Sequence, residues 1–128
     1  MFSKSLVVES RHIDFRGVVN GIFLPYYMEW ARDDFLRTER GIDIERLFEQ
    51  GQEFLTLEFF IGFKKNIPQG EVITVTCQFE PHELSDRLKA VQTVLVGDDV
   101  YCEAVFVFTC INNGKTTLPA GFLPEPSH

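Results

Sequence analysis

The chain has 128 residues, enough for one domain and too few for two independent cores. With 45% hydrophobic and 24% charged residues it is composed as a globular protein, and its 13 phenylalanines imply a ring-filled interior or subunit interface. A formal net charge of −7 argues against gripping nucleic acid through a basic face, and no apolar run is long enough to span a membrane.

The stretch Ser5–Arg11 reads as a short strand. The link His12–Gly21 follows, and its glycines and asparagine suit turns. Phe23, Tyr27, Trp30, Ala31, Asp34 and Phe35 then recur at helical spacing, with Glu29, Arg32, Asp33, Arg37 and Glu39 largely on other faces. Pro25 has no amide hydrogen and must lie in the first turn, so the helix starts between Gly21 and Leu24, and Gly41 closes it. A second, short helix over Ile44–Phe48 is capped by Asp43 and ended by Gly51.

The period then switches to two. Leu55, Leu57, Phe59, Ile61 and Phe63 should share one strand face, and Ile73, Val75, Cys77 and Phe79 another. Strands over Arg87–Val96 and Val100–Ile111 are joined by a turn at Gly97-Asp98-Asp99, with Cys102, Ala104, Phe106, Phe108 and Cys110 inward. From Asn112 onward the chain reads as a surface tail. The fold class is α+β: about five antiparallel strands curved around one long central helix, leaving an edge or face for a second copy. The three cysteines lack metal-ligand spacing and read as reduced, packed thiols of a cytoplasmic protein, and the N-terminus has no signal-peptide pattern.

The chemistry concentrates between the first strand and the helix. Asp14 lies just before the free amides of a helix N-terminus, where donors and partial positive charge suit a developing oxyanion. A carboxylate there serves as nucleophile or general base, or simply makes an Asx-turn; Asn20 reads as an N-cap.

Asp14-Phe15-Arg16-Gly17-Val18-Val19-Asn20, followed by Glu29-Trp30-Ala31-Arg32, resembles the signature of the 4-hydroxybenzoyl-CoA thioesterase family. The resemblance implies a hot-dog fold over residues 1–128, no cofactor, and hydrolysis of acyl-CoA, or of an acyl-carrier-protein thioester, at sites between the subunits of a dimer or homotetramer. It places Asp14 on the family's catalytic aspartate and Asn20 on a common asparagine. The amide near Gly21 falls where the carbonyl is polarised, and Gly17 and Val18 fall in the substrate-contacting turn. Val18 stands where many relatives have histidine, and Gly21-Ile22 replace the more usual Asn, Tyr or Pro.

Glu29 is a rival carboxylate, or a structural one pairing with Arg32 or Arg11. His12 reads as a structural strand-end residue. Arg87 and Lys89, with Lys64 behind them, are the candidates for CoA phosphates, or else solvated edge-strand charges. Two competing functions remain. A hot-dog dehydratase or hydratase has only His12, His82 and His128 to draw on, whereas a non-catalytic acyl-thioester binder would bind without turnover.

Overall fold

The computed structural model describes residues 1–123; His128 lies outside them. The strands are β1 (Phe2–Val7), β2 (Gln52–Phe63), β3 (Val72–Pro81), β4 (Arg87–Val96), β5 (Asp99–Asn112) and β6 (Lys115–Thr117). The helices are α1 (Leu24–Phe35) and α2 (Ile44–Glu49). All the strand pairings are antiparallel, in the order β1-β3-β4-β5-β2, and β6 joins β5. Helix α1 lies against the concave face of this sheet.

Helix α1 is bounded as the sequence dictates. A tight turn over Gly21–Phe23 leads into it, Pro25 sits in its first turn, and a wider turn over Leu36–Arg40 ends at Gly41, which is left-handed at φ 67°. The amide of Ile42 closes this end on the Leu36 carbonyl at 2.9 Å. Asp43 caps α2, its Oδ1 accepting from the amides of Glu45 and Arg46 at 3.0 and 3.2 Å.

Inward residues alternate along the sheet as expected: Ile73, Val75, Cys77 and Phe79 on β3, and Cys102, Ala104, Phe106, Phe108 and Cys110 on β5, all buried. The three cysteines are free, and burial pushes the Cys77 thiol up to about 12 and those of Cys102 and Cys110 to about 11. No helix among the described residues is long and apolar enough to cross a membrane.

Four expectations need correction. The first strand is Phe2–Val7, not Ser5–Arg11: Phe2, Lys4 and Leu6 point inward, and the lysine in that row hides the alternation by ion-pairing with Asp34 of α1. On β2 the register shifts between Thr56 and Glu58, so Phe54 and Thr56, not Leu55 and Leu57, share a face with Phe59, Ile61 and Phe63. The segment after Asn112 is more than surface: β6 pairs with Cys110–Asn112, and Phe122 is 1% exposed with its ring 5.5 Å from that of Phe54.

The fourth correction concerns Arg32, which is 5% exposed and faces the sheet. Its guanidinium lies 4.7 and 4.4 Å from the ring centroids of Phe106 and Phe108, and Nη1 donates to Gln92 Oε1 at 3.0 Å. Gln92 in turn donates to the Met28 and Thr76 carbonyls at 2.8 and 3.3 Å. A cation stacked on two rings and held by an amide belongs to the core, although its charge marks it as surface.

Candidate active site

The turn that carries Asp14 is built by its own backbone. The Gly17 amide donates to the Asp14 carbonyl at 3.0 Å, and Gly17 sits at φ 80°, a conformation that disfavours a side chain. The Asp14 amide donates to the Val18 carbonyl at 2.9 Å, and Ile13 bridges to Val19. The turn is then tied to the segment after β2, through Val19 N to Ile67 O at 2.8 Å and Gln69 N to Gly17 O at 3.0 Å.

Within this frame Asp14 makes the Asx-turn: Oδ1 accepts from the Arg16 amide at 2.9 Å. The Arg16 side chain also forks onto the carboxylate, Nε and Nη2 reaching Oδ2 at 3.1 and 2.8 Å. These bonds hold the Asp14 carboxyl below the usual carboxylate range.

The chain next delivers the helix N-terminus. Asn20 caps it, with Oδ1 accepting from Ile22 N at 3.3 Å and its carbonyl from Phe23 N at 2.9 Å. The Leu24 amide donates to Gly21 O. The Gly21 amide is left with no hydrogen-bond acceptor among the described residues. Phe63 covers this glycine: a methyl group there would come 3.0 Å from Phe63 Cε1.

A cavity of about 190 Å³ opens at this point, lined by Arg16, Val19, Gly21, Leu24, Phe63, Lys65, Asn66 and Ile67. Val19, Leu24, Phe63 and Ile67 supply apolar lining, and Arg16, Lys65 and Asn66 supply two cationic side chains and an amide. None of Arg16, Phe63, Lys65 and Asn66 was assigned a site role from the sequence, although Arg16 stands inside the Asp14–Asn20 motif and Lys65 directly follows Lys64.

The other candidates are placed elsewhere. Arg87 pairs with Thr109 on β5, whereas Phe63 pairs with Cys102, an offset of roughly 23 Å at about 3.3 Å per residue. Arg87 Nε bonds Asp86 at 3.2 Å, Lys89 lies 3.6 Å from Glu83, and Lys64 lies 3.6 Å from Glu103. Glu29 is exposed and has no ion pair among the described residues: Arg11 bonds Glu9 and Arg32 bonds Gln92, so neither expected pairing forms. His12 is buried, stacks on Phe23 at 4.4 Å and has Nδ1 2.5 Å from Tyr27 OH, which itself accepts the Glu9 amide at 3.0 Å.

No family model matches the chain, and no curated protein does. Solved structures match over nearly the whole length. A probable thioesterase from Bartonella henselae superposes with a TM-score of 0.81 at 23% identity, covering 91% of this chain and 98% of that one. A 1,4-dihydroxy-2-naphthoyl-CoA thioesterase from Synechocystis gives 0.82 at 14% identity, covering 92% and 87%. A thioesterase complexed with coenzyme A and zinc, from Thermus thermophilus, gives 0.77 at 21%, covering 93% and 86%. The chain has the hot-dog fold those proteins share.

Proposed function

We propose that this protein is an acyl-CoA thioesterase, releasing a free acid and the CoA thiol. The observation that carries the reading is one small cavity lined by Gly21, whose amide is acceptor-free, and by Arg16, which holds the Asp14 carboxylate just outside that lining. The hot-dog neighbours named as thioesterases support it, one of them holding coenzyme A.

In this reading the thioester carbonyl oxygen points at Gly21 N–H, aided by the partial positive charge of the helix N-terminus. Asp14 acts in one of two ways. As nucleophile, an Asp14 oxygen bonds to the carbonyl carbon, the C–S bond breaks, the thiolate takes a proton, and water then cleaves the anhydride. As general base, Asp14 takes a proton from the water that attacks directly. Heavy oxygen carried from labelled water into the Asp14 carboxyl during a single turnover marks the first route, with water opening the anhydride at the Asp14 carbonyl.

Asn20 holds the helix entrance, and Gly17 and Val18 shape the turn. Strand β2 is one of the sheet's two edge strands, β1 being the other, and it exposes Phe59, Phe60 and Phe63 at 47, 65 and 55%. A second copy paired there, as a dimer or a dimer of dimers, closes the site. Arg87 and Lys89 serve the CoA phosphates when a partner subunit brings them across. The buried free thiols fit a cytoplasmic setting.

The Arg16 fork favours one alternative, a non-catalytic acyl-thioester binder, because it occupies both Asp14 oxygens. An acyl-carrier-protein substrate is the other, with Arg16 and Lys65 as its basic docking points. The test is thiol release from a panel of alkyl-, benzoyl-, hydroxybenzoyl- and phenylacetyl-CoA by wild type and Asp14→Ala. A loss of about a hundredfold or more in the variant supports the reading. An unaffected variant transfers the role to Glu29, and binding without hydrolysis supports the binder.

A further inference from the structure

The Arg16–Asp14 pair is arranged in a way that a resting catalytic carboxylate does not need. A carboxylate offers about four acceptor sites. Arg16 alone makes four contacts with them: its amide and Nε reach Oδ1 at 2.9 and 3.3 Å, and Nε and Nη2 reach Oδ2 at 3.1 and 2.8 Å. Three N–H donors make these contacts, Nε being shared, so in this state both Asp14 oxygens are engaged by Arg16 and any attack on water or a carbonyl competes with it.

The fork is also placed to let go. The Arg16 side chain is 48% exposed, and an exposed ion pair exchanges readily for another anion. Its Nη1 has no hydrogen bond among the described residues, and the residue lines the same cavity as Gly21 and Lys65. The Arg16 amide would keep the Asx-turn and the position of Asp14 after the guanidinium had left.

We infer that Arg16 is a substrate-operated latch: an anionic group on the incoming thioester draws the guanidinium away, freeing Asp14 and making turnover selective for thioesters that carry an anion. The inference rests on the thioesterase reading and adds a specificity-determining residue to it. Two sources supply the anion, the phosphates of the CoA half or a carboxylate on the acyl half, and Lys65 across the cavity adds to the attraction of either.

The experiment compares wild type with Arg16→Gln, which keeps the backbone bond to Asp14. Both are assayed on butyryl-CoA, butyryl-N-acetylcysteamine (which lacks phosphate) and succinyl-N-acetylcysteamine (which carries a carboxylate). Wild type should favour an anionic thioester over the neutral one by at least about tenfold, and Arg16→Gln should erase most of that gap, with kcat on the neutral substrate rising. Preference for butyryl-CoA assigns the anion to phosphate, and preference for the succinyl ester assigns it to the acyl carboxylate.

The acid limb of the neutral-substrate pH profile should also move up in Arg16→Gln. Asp14 reacts as the anion and loses activity as pH falls through its pKa, which the guanidinium had held down. Equal losses on all three substrates with an unmoved acid limb overturn the latch and leave the thioesterase reading intact. No hydrolysis of any thioester by wild type overturns both.

Discussion

Replacing Gln92 with leucine puts the buried cation to the test. The side-chain amide makes three bonds: to Arg32 Nη1 at 3.0 Å, to the Met28 carbonyl at 2.8 Å and to the Thr76 carbonyl at 3.3 Å. The first is charge-assisted and worth about 1.5–3 kcal/mol, and the carbonyl bonds about 1 kcal/mol each. Leucine fills similar volume and recovers part of this through apolar contact. It leaves Arg32 with the rings of Phe106 and Phe108, no carboxylate within ion-pair distance among the described residues, and an Nε already without a partner. Removing one partner of a buried charge costs roughly 3–5 kcal/mol, the range the bond inventory also reaches.

The expected fall in Tm is on the order of 10–20 °C for a chain of this size. Arg32→Met placed on top of Gln92→Leu should recover most of it, because two apolar residues replace two polar ones without stranding either. The assay is urea unfolding of the four proteins of the cycle at one fixed protein concentration, since association adds to apparent stability. A Gln92→Leu cost under about 1 kcal/mol, or a double variant no better than the sum of the singles, would refute the reasoning.

Other outcomes follow from the same structure. Asn20→Ala removes a 3.3 Å cap bond and should cost up to about 1 kcal/mol in urea unfolding; no change would mean that the turn is held by its backbone alone. Phe122→Ala should cost about 3–5 kcal/mol in the same measurement, whereas a surface tail would cost almost nothing. The thiols of Cys77, Cys102 and Cys110, all buried and raised by burial, should resist alkylation at pH 8 until the chain is unfolded. Lys4 and Arg37 hold the Asp34 carboxyl below its ordinary value of 3.8, so its stabilisation is present above that pH and lost as pH falls further. Asp34→Asn should flatten the acid side of the stability curve. In the proposed pairing through the β2 edge, Phe59→Lys should shift sedimentation toward the monomer, and an unchanged sedimentation coefficient would count against that pairing.

What was legible in the sequence was whatever local rules enforce. Pro25 and Gly41 bound the helix because one lacks a donor and the other takes a left-handed φ, and period two marks β3 and β5 because both bury one continuous face. The Asp14 turn was legible for the same reason, with Gly17 at the position a tight turn needs. Where a contact spans the molecule, side-chain type misleads. Arg32 reads as polar face until Phe106 and Phe108, more than seventy positions later, stack on it; Lys4 breaks an inward row because its partner lies on α1. The bulge on β2 turns Leu57 outward with no glycine to announce it. Lys65 and Arg16 come together only because the loop after β2 docks on the Asp14 turn.

The strand order has a consequence for how the chain is made. Strand β2 pairs only with β5 among the described residues, and β5 follows it after two intervening strands. During synthesis from the N-terminus, β1, β3 and β4 are able to associate while β2, with Leu57, Phe59, Phe60 and Phe63, still waits for its neighbour. For that interval the nascent chain displays an aromatic strand with neither side satisfied, a segment prone to pairing with other chains. Slowing elongation across 72–112, after β2 is made and before β5 is complete, should therefore lower soluble yield far more than slowing it across 24–49, with the finished protein unaltered.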